Sequence, residues 1–226
     1  MLKKIGSRLR RDGIGATFKA VHGFLHHQWH AWRDEAMDRR YGIDTRGIVE
    51  ANEVDCIGEH GTQSNGHEPI QRLLFERMLD AAAPDYAACT FIDFGSGKGR
   101  AVILAAHRPF HRVIGVEFSS ALHAIAESNV SRFRTFMPTC VDIELRCEDA
   151  ATTDIPPSSL LCFLYNPFGE VVLQKVCRRI FESFVAHPRQ ISILYRNPVC
   201  HHVLDECSFL RLTLATPDFR LYQTHP

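Results

Sequence analysis

The stretch that decides the fold is Phe91-Ile92-Asp93-Phe94-Gly95-Ser96-Gly97-Lys98-Gly99-Arg100, in a chain of 226 residues. It begins as a short apolar run ending at Asp93, continues through glycines at alternate positions, and leads into a helical pattern. Glycines at such a turn let the backbone approach a ligand closely, because they carry no side chain. The Asp93 carboxylate can then meet an amine or a hydroxyl of that ligand. The stretch therefore predicts a cofactor-binding turn that brings bare backbone N–H groups close to the ligand.

The glycine spacing argues against two common phosphate-binding turns. A dinucleotide fold has the pattern G-x-G-x-x-G, which would require glycine at position 100, where the chain has Arg100. A P-loop would require Ser or Thr after Lys98 and an earlier glycine at position 92, and the chain has Gly99 and Ile92 there. Both phosphate-binding interpretations fail at specific positions.

Strand and helix patterns alternate along the rest of the chain. A helix is predicted from Glu68-Pro69 to about residue 83, and further helices over about 98–107, 119–134, 169–185 and 198–206. Short apolar strands are predicted at about 90–94, 112–117, 141–146, 159–165, 190–196, 208–215 and 218–223. This alternation predicts an α/β fold with a mostly parallel sheet, helices on both faces and a closing antiparallel hairpin.

The N-terminal part has a different character, and we divide the chain into a helical extension with a connecting cap, 1–66, and a main domain, 67–226. Nine Lys and Arg stand against four Asp and Glu in the first forty residues. One amphipathic stripe is formed by Ile14, Phe18, Val21, Leu25, Trp29 and Trp32. The stripe is expected to pack on the domain as a cap, or to contact a membrane surface or a partner through residues 1–40.

The charge balance and the cysteines of the chain bear on nucleic-acid binding, the cellular compartment and metal binding. The formal net charge is zero, so no nucleic-acid partner is expected. Eight cysteines without a CxxC pair favour a reducing, cytoplasmic compartment. The run Cys200-His201-His202 with Cys207 matches no standard zinc pattern and fits one helix face, so no metal is predicted.

The pattern from Asp93 to Gly99 resembles motif I of class I S-adenosylmethionine-dependent methyltransferases, whose sheet is Rossmann-like and seven-stranded. The resemblance covers most of residues 60–223 and implies S-adenosyl-L-methionine as cofactor. It implies that the loop residues Asp93, Phe94, Gly95, Ser96, Gly97 and Gly99 approach the methionine half of the cofactor, with the acidic residue holding its amine.

The same resemblance extends to the next two strand ends. Glu117, followed by Phe118, is implied to take the ribose hydroxyls. Asp149, followed by Ala150, is implied to contact the adenine amino group, although Glu148 replaces the glycine that usually precedes it.

The residues before the core resemble those of a largely uncharacterised bacterial group of these enzymes. The similar segments are Tyr41-Gly42-Ile43-Asp44-Thr45 and Gly61-Thr62 with Glu68-Pro69. In such enzymes the segment before motif I closes over the methionine carboxylate, which makes Thr62 a predicted contact and Glu68 a weaker one.

The run Leu164-Tyr165-Asn166-Pro167-Phe168-Gly169 resembles the Asn/Asp-Pro-Pro-Tyr/Phe motif of nitrogen methyltransferases, with one proline fewer. The resemblance implies that Asn166, which also faces the cofactor, and Pro167 orient an acceptor amine. Tyr165 and Phe168 are implied to pack on that amine and remove it from water. Tyr195 and Asn197, at the next strand end, are weaker candidates for the acceptor pocket.

The sequence thus predicts methyl transfer to a nitrogen, such as that of a protein lysine. N- or O-methylation of a small molecule and a non-catalytic cofactor-binding module remain the alternatives.

Overall fold

The computed structural model of the chain describes residues 35–48, 68–137 and 142–224. In these ranges seven strands form one mixed sheet. The strands are β1 (Cys89–Phe94), β2 (Arg112–Glu117), β3 (Asp142–Cys147), β4 (Ser159–Tyr165), β5 (Ile191–Arg196), β6 (Leu210–Ala215) and β7 (Phe219–Thr224). Their order is β3-β2-β1-β4-β5-β7-β6. The first five strands pair in parallel, while β7 pairs antiparallel with β5 and β6. The predicted fold class and closing hairpin are confirmed.

Six α-helices and one short 3₁₀ helix, Tyr86–Ala88, accompany the sheet in the described ranges. The α-helices are α1 (residues 35–41), α2 (Arg72–Ala82), α3 (Arg100–Ala105), α4 (Ser120–Phe136), α5 (Glu170–Ala186) and α6 (His201–Asp205). Two predicted helix starts are wrong. Residues 68–71 are not helical, and the Ile70 carbonyl accepts a hydrogen bond from Arg100 at 2.7 Å before α2 begins. Helix α6 begins at His201 because a tight turn precedes it: Asn197 has φ of +48°, and its carbonyl accepts a hydrogen bond from the Val199 N–H at 2.8 Å.

The hydrophobic core lies on both faces of the sheet, as the alternation of side chains along a strand requires. Phe91 belongs to one cluster, together with residues of α1, α2, α3 and α4. Its neighbour Ile92 belongs to the other cluster, which includes residues of α5 and α6. Asp93 follows on the same side as Phe91, so its carboxyl group lies on the face covered by the first four helices.

Candidate active site

Asp93 is the last residue but one of the fully buried strand β1 and lines an open pocket. Only 3% of its surface is exposed, and within the described part of the chain no hydrogen bond reaches its carboxyl group. Burial raises the pKa of Asp93 well above its usual value, and the neighbouring Glu117 carboxylate raises it further. A buried carboxyl group that faces a pocket is suited to a ligand that carries a positive charge.

Glu117 lies at the end of β2, the strand next to β1. One of its oxygens accepts a hydrogen bond from the Gly97 N–H at 2.7 Å, and the other accepts one from the Ser119 N–H at 2.9 Å. Burial raises the pKa of Glu117, while hydrogen bonds from Ser119, Gly97 and Phe118 lower it. Because a carboxylate offers about four acceptor sites, the group still has room for a hydroxyl hydrogen from a diol.

The first N–H groups of the glycine loop donate hydrogen bonds within the protein, so the prediction that they would be bare is wrong. The N–H groups of Gly95 and Ser96 both donate to the Val116 carbonyl, at 2.8 and 2.9 Å. The Gly97 N–H donates to Glu117 as described above. The reason is that the loop folds over the end of β2. A phosphate would find these three donors occupied and two carboxylates beside them, so the loop does not suit a phosphate ligand.

Gly95 joins the loop to the turn that follows β4. Its φ is +82°, and a Cβ atom at this position would lie 2.5 Å from the Cβ of Pro167. Real Cβ atoms do not approach this closely, so glycine is required both by the backbone conformation and by the contact. The predicted loop and the predicted acceptor turn are therefore in direct contact.

Asn166 occupies the turn after β4 in the left-handed conformation, with φ of +41°. Asparagine tolerates this conformation better than most residues do. Its Oδ1 accepts a hydrogen bond from the Tyr195 hydroxyl at 3.4 Å, and that hydroxyl accepts one from the Cys200 N–H at 3.2 Å. Tyr195 is 1% exposed and thus supports Asn166 from within the protein.

The four predicted acceptor residues take different environments. Tyr165 lines the pocket, and Asn166 and Pro167 are half-buried in the turn beside it. Phe168 is 7% exposed and belongs to the core cluster on the other face of the sheet. The structure therefore packs the Phe168 ring into the core rather than presenting it to the pocket.

Tyr165 connects two charged residues at the pocket. The Arg196 guanidinium lies 5.4 Å from the centre of its ring. Burial and a hydrogen bond with Glu68 raise the pKa of Tyr165 to about 12. Since Glu68 also lines the pocket, this weaker sequence candidate lies on the same pocket as Asp93 and Tyr165.

The third acidic site lies next to the second. The Glu148 N–H donates to the Glu117 backbone carbonyl at 3.1 Å, which places the turn after β3 beside Glu117. Asp149 Oδ1 accepts a hydrogen bond from the Ala151 N–H at 2.8 Å. The Glu148 carboxylate is held by the Thr153 hydroxyl and lies 3.8 Å from Arg146. Asp149 remains the predicted adenine contact of the two, and Ala150 is buried behind it.

Two basic residues of the loop region were not predicted as functional. Lys98 donates to Asp44 Oδ2 at 3.0 Å and to the Arg46 carbonyl at 2.7 Å. The Asn129 amide donates to the carbonyls of Lys98 and Asp44 at 2.9 and 2.7 Å. These bonds tie residues 44–46 to the glycine loop. The second residue is Arg100, whose contacts are described below. The sequence feature that could have indicated both residues is a Lys and an Arg in or next to a glycine-rich turn that does not suit a phosphate.

Two of the predicted features cannot be compared with the structure. Thr62 and the amphipathic stripe from Ile14 to Trp32 lie outside the described residues. Over the ranges that the structure does describe, no group of His, Cys, Asp and Glu is arranged to hold a metal ion, and no helix is long and apolar enough to span a membrane.

Comparisons with known proteins agree with this architecture. No protein-family model and no curated protein matches the sequence. Among solved structures, the fold is similar to the candidate methyltransferase yhhF from Escherichia coli, with 15% identity, 79% of this chain and 99% of that chain covered, and a TM-score of 0.50.

Two more distant similarities have TM-scores below 0.5. An RNA methyltransferase from Salinibacter ruber in complex with S-adenosyl-L-homocysteine is 19% identical, with 69% of this chain and 92% of that chain covered and a TM-score of 0.47. A ribosomal protein L11 methylase from Lactobacillus delbrueckii subsp. bulgaricus is 15% identical, with 67% of this chain and 76% of that chain covered and a TM-score of 0.46.

The strand order and the similarity to the Escherichia coli structure define the fold. It is the seven-stranded, Rossmann-like fold of class I S-adenosylmethionine-dependent methyltransferases.

Proposed function

We propose that the chain is an S-adenosylmethionine-dependent methyltransferase whose acceptor is a nitrogen, such as that of a protein lysine side chain. The observation that carries the proposal is a pair of buried carboxyl groups, Asp93 and Glu117, at the ends of adjacent parallel strands. They flank a glycine loop whose first three N–H groups are already occupied. Such a site favours a ligand with an ammonium group and a diol over a phosphate ester.

The site residues fit S-adenosylmethionine, which supplies a methyl group on a positively charged sulfur when bound. Glu117 would hold a ribose hydroxyl, because its oxygens have acceptor capacity left beyond the N–H groups of Gly97, Phe118 and Ser119. Asp93 would hold the ammonium group of the methionine end in the pocket. An ammonium group beside Asp93 favours the ionised carboxylate and so offsets the cost of its burial.

The turn after β4 supports a nitrogen acceptor. Asn166 presents an amide oxygen that can accept a hydrogen from an amine without taking up its proton as a carboxylate would. Tyr195 orients this amide, and Pro167 packs against Gly95. The acceptor turn and the donor loop are thereby held at a fixed separation, which is what an in-line displacement requires.

The acceptor nitrogen must lose its proton before it can react. A lysine amine has a reference pKa of about 10.4, so the neutral form costs about 4 to 5 kcal/mol at pH 7. The pKa of Tyr165 and that of Tyr195 are both raised by burial to about 12, so neither side chain is an ionised base at neutral pH. Desolvation of the amine against the Tyr165 ring lowers its pKa, and the proton leaves to solvent.

Transfer of a labelled methyl group tests the proposal. The pure protein is incubated with methyl-labelled S-adenosylmethionine and a lysate of its source, and the label is located. We expect the label on protein nitrogen. Label in the small-molecule fraction would replace the protein acceptor with a small molecule, and cofactor binding without any transfer would indicate a non-catalytic module.

Asn166→Ala tests the acceptor turn in the same assay, with Gln174→Ala on the exposed side of α5 as the control. We expect Asn166→Ala to lower the transfer rate about 100-fold and to change the cofactor Kd by a much smaller factor, because the acceptor loses its alignment. A rate equal to that of Gln174→Ala would place the acceptor elsewhere.

A further inference from the structure

Arg100 follows the glycine loop directly and is 2% exposed, although it carries a full charge. Its Nε donates to the Ile70 carbonyl at 2.7 Å, and its Nη1 donates to Thr45 Oγ1 at 2.6 Å. The same Nη1 lies 3.4 Å from Asp38 Oδ1. A single guanidinium group thus joins the start of α3 to two segments that precede the sheet.

The partners of Arg100 are themselves fixed. Thr45 donates its hydroxyl hydrogen to Asp38 at 2.8 Å, and its backbone N–H donates to the same carboxylate at 3.1 Å. Asp38 is 3% exposed and Thr45 is fully buried. Burying an ion pair costs desolvation energy, so such a network contributes little to stability by itself and more to fixing one arrangement of the chain.

One of the two segments forms the wall of the pocket. Ile70, whose carbonyl Arg100 holds, lines the pocket together with Glu68 and Pro69, and Asp93 lies on the same pocket. Arg100 itself also lines it. The position of this wall relative to Asp93 therefore depends on the bond between Arg100 and Ile70.

We propose that Arg100 is a positioning residue for the methionine end of the cofactor, anchored by Thr45 and Asp38 and acting through the wall at residues 68–70. The proposal rests on the function proposed above. It assigns to residues 38–45 a part in cofactor recognition that reaches the pocket wall through the Arg100 guanidinium.

The test compares two ligands that differ at the methionine end. S-adenosylmethionine carries the amino acid group, and 5′-methylthioadenosine has the adenosine and the sulfur without it. Arg100→Lys retains the charge, but a lysine lacks the planar fork that reaches Ile70 and Thr45 together. We expect Arg100→Lys to weaken S-adenosylmethionine binding about tenfold or more while the Kd of 5′-methylthioadenosine changes little.

Arg189→Lys is the matched control. Arg189 donates to the carbonyls of Pro156, Ser158, Ser183 and His187, next to the starts of β4 and β5 and thus at the opposite end of these strands from the pocket. The Arg189→Lys variant is expected to lower the melting temperature without changing the ratio of the Kd for S-adenosylmethionine to the Kd for 5′-methylthioadenosine.

A second variant covers the case in which Arg100→Lys does not fold. Thr45→Val removes the hydroxyl that anchors Arg100 and leaves the guanidinium in place. It is expected to shift the ratio of the two constants in the same direction by a smaller factor.

The outcomes separate the two proposals. If the unmodified chain binds S-adenosylmethionine and the Arg100 and Thr45 variants weaken both ligands equally, the positioning role is wrong and the cofactor site stands. If the unmodified chain does not bind S-adenosylmethionine, the proposed function itself fails.

Discussion

Asp93 is a buried carboxyl group, and burying its ionised form lowers the free energy of unfolding by an amount that can be measured. Its pKa is raised in the folded protein, so between its usual value and the raised value the folded state binds more protons than the unfolded state. Stability therefore falls as the pH rises through this window. Above the raised pKa the full cost of the buried carboxylate is present.

Asp93→Asn removes this cost together with the proposed ammonium contact. We expect the variant to be more stable than the unmodified chain at neutral pH, by about 1.4 kcal/mol for each pKa unit, and the gain to shrink towards pH 4. It should also lose affinity for S-adenosylmethionine. Urea unfolding at several pH values checks the stability, with Asp80→Asn, at an exposed carboxylate, as the control. A gain that does not depend on pH would contradict this account of Asp93.

The environment of Phe168 differs from the one that the resemblance to nitrogen methyltransferases implied. The aromatic position of the nitrogen-methyltransferase motif was implied to face the acceptor, and here the ring lies in the core. The run has one proline fewer than the motif, so the residue after Pro167 takes a different place relative to the turn. Tyr165, which precedes the turn, provides the aromatic surface of the pocket instead.

Phe168→Ala is accordingly expected to destabilise the chain by about 3 to 5 kcal/mol, as other core substitutions of this kind do. Its turnover per folded molecule should change less than that of Asn166→Ala. Thermal unfolding together with the labelled transfer assay separates the two effects. A large loss of turnover at unchanged stability would return Phe168 to the acceptor pocket.

At the scale of elements, the contact between the glycine loop and the turn after β4 holds the site together. Gly95 and Gly47 share a left-handed backbone, with φ of +82° and +87°. At Gly47 an added Cβ would meet Lys98 Nζ at 3.7 Å, an ordinary contact, whereas at Gly95 it would clash with Pro167. The two positions therefore separate backbone strain from the clash.

Gly47→Ala should cost about 1 to 2 kcal/mol, the strain of an L-residue in this conformation. Gly95→Ala should cost more and should also reduce methyl transfer, because the loop and the acceptor turn must move apart. Denaturant unfolding and the transfer assay measure both effects. Equal losses of stability and full activity in both variants would mean that the contact does not set the geometry of the site.

The strands were predictable because buried parallel strands appear as short apolar runs, and their observed ends lie within two residues of the predicted ones. The start of α2 was not predictable in the same way. Residues 68–71 stay outside the helix while Arg100, thirty residues away, holds the Ile70 carbonyl. A long-range bond of this kind leaves no periodic pattern in the sequence.

At the scale of the whole molecule, the segment before the sheet is bonded to the glycine loop and to the helices beside it. Residues 38–46 are bonded to Lys98, Arg100 and Asn129, all on or beside the glycine loop. Met37, Tyr41 and Ile43 also belong to the core cluster on the Asp93 side of the sheet. The division of the chain at residue 66 remains a prediction, and these contacts connect its two parts.

Three acidic residues at successive strand ends could be predicted from the sequence, since parallel strands bring their carboxyl ends to one edge of the sheet. The occupied N–H groups of the loop could not, because they depend on how the loop folds over β2. That detail strengthens the exclusion of phosphate ligands that the glycine spacing had indicated.

Calorimetric titration of the unmodified chain with S-adenosylmethionine and, separately, with NAD tests the central claim most directly. The account predicts saturable one-to-one binding of S-adenosylmethionine and no binding of NAD, because Asp93 and Glu117 favour an ammonium group and a diol without a pyrophosphate. Binding of NAD alone, or no binding of S-adenosylmethionine, would contradict it.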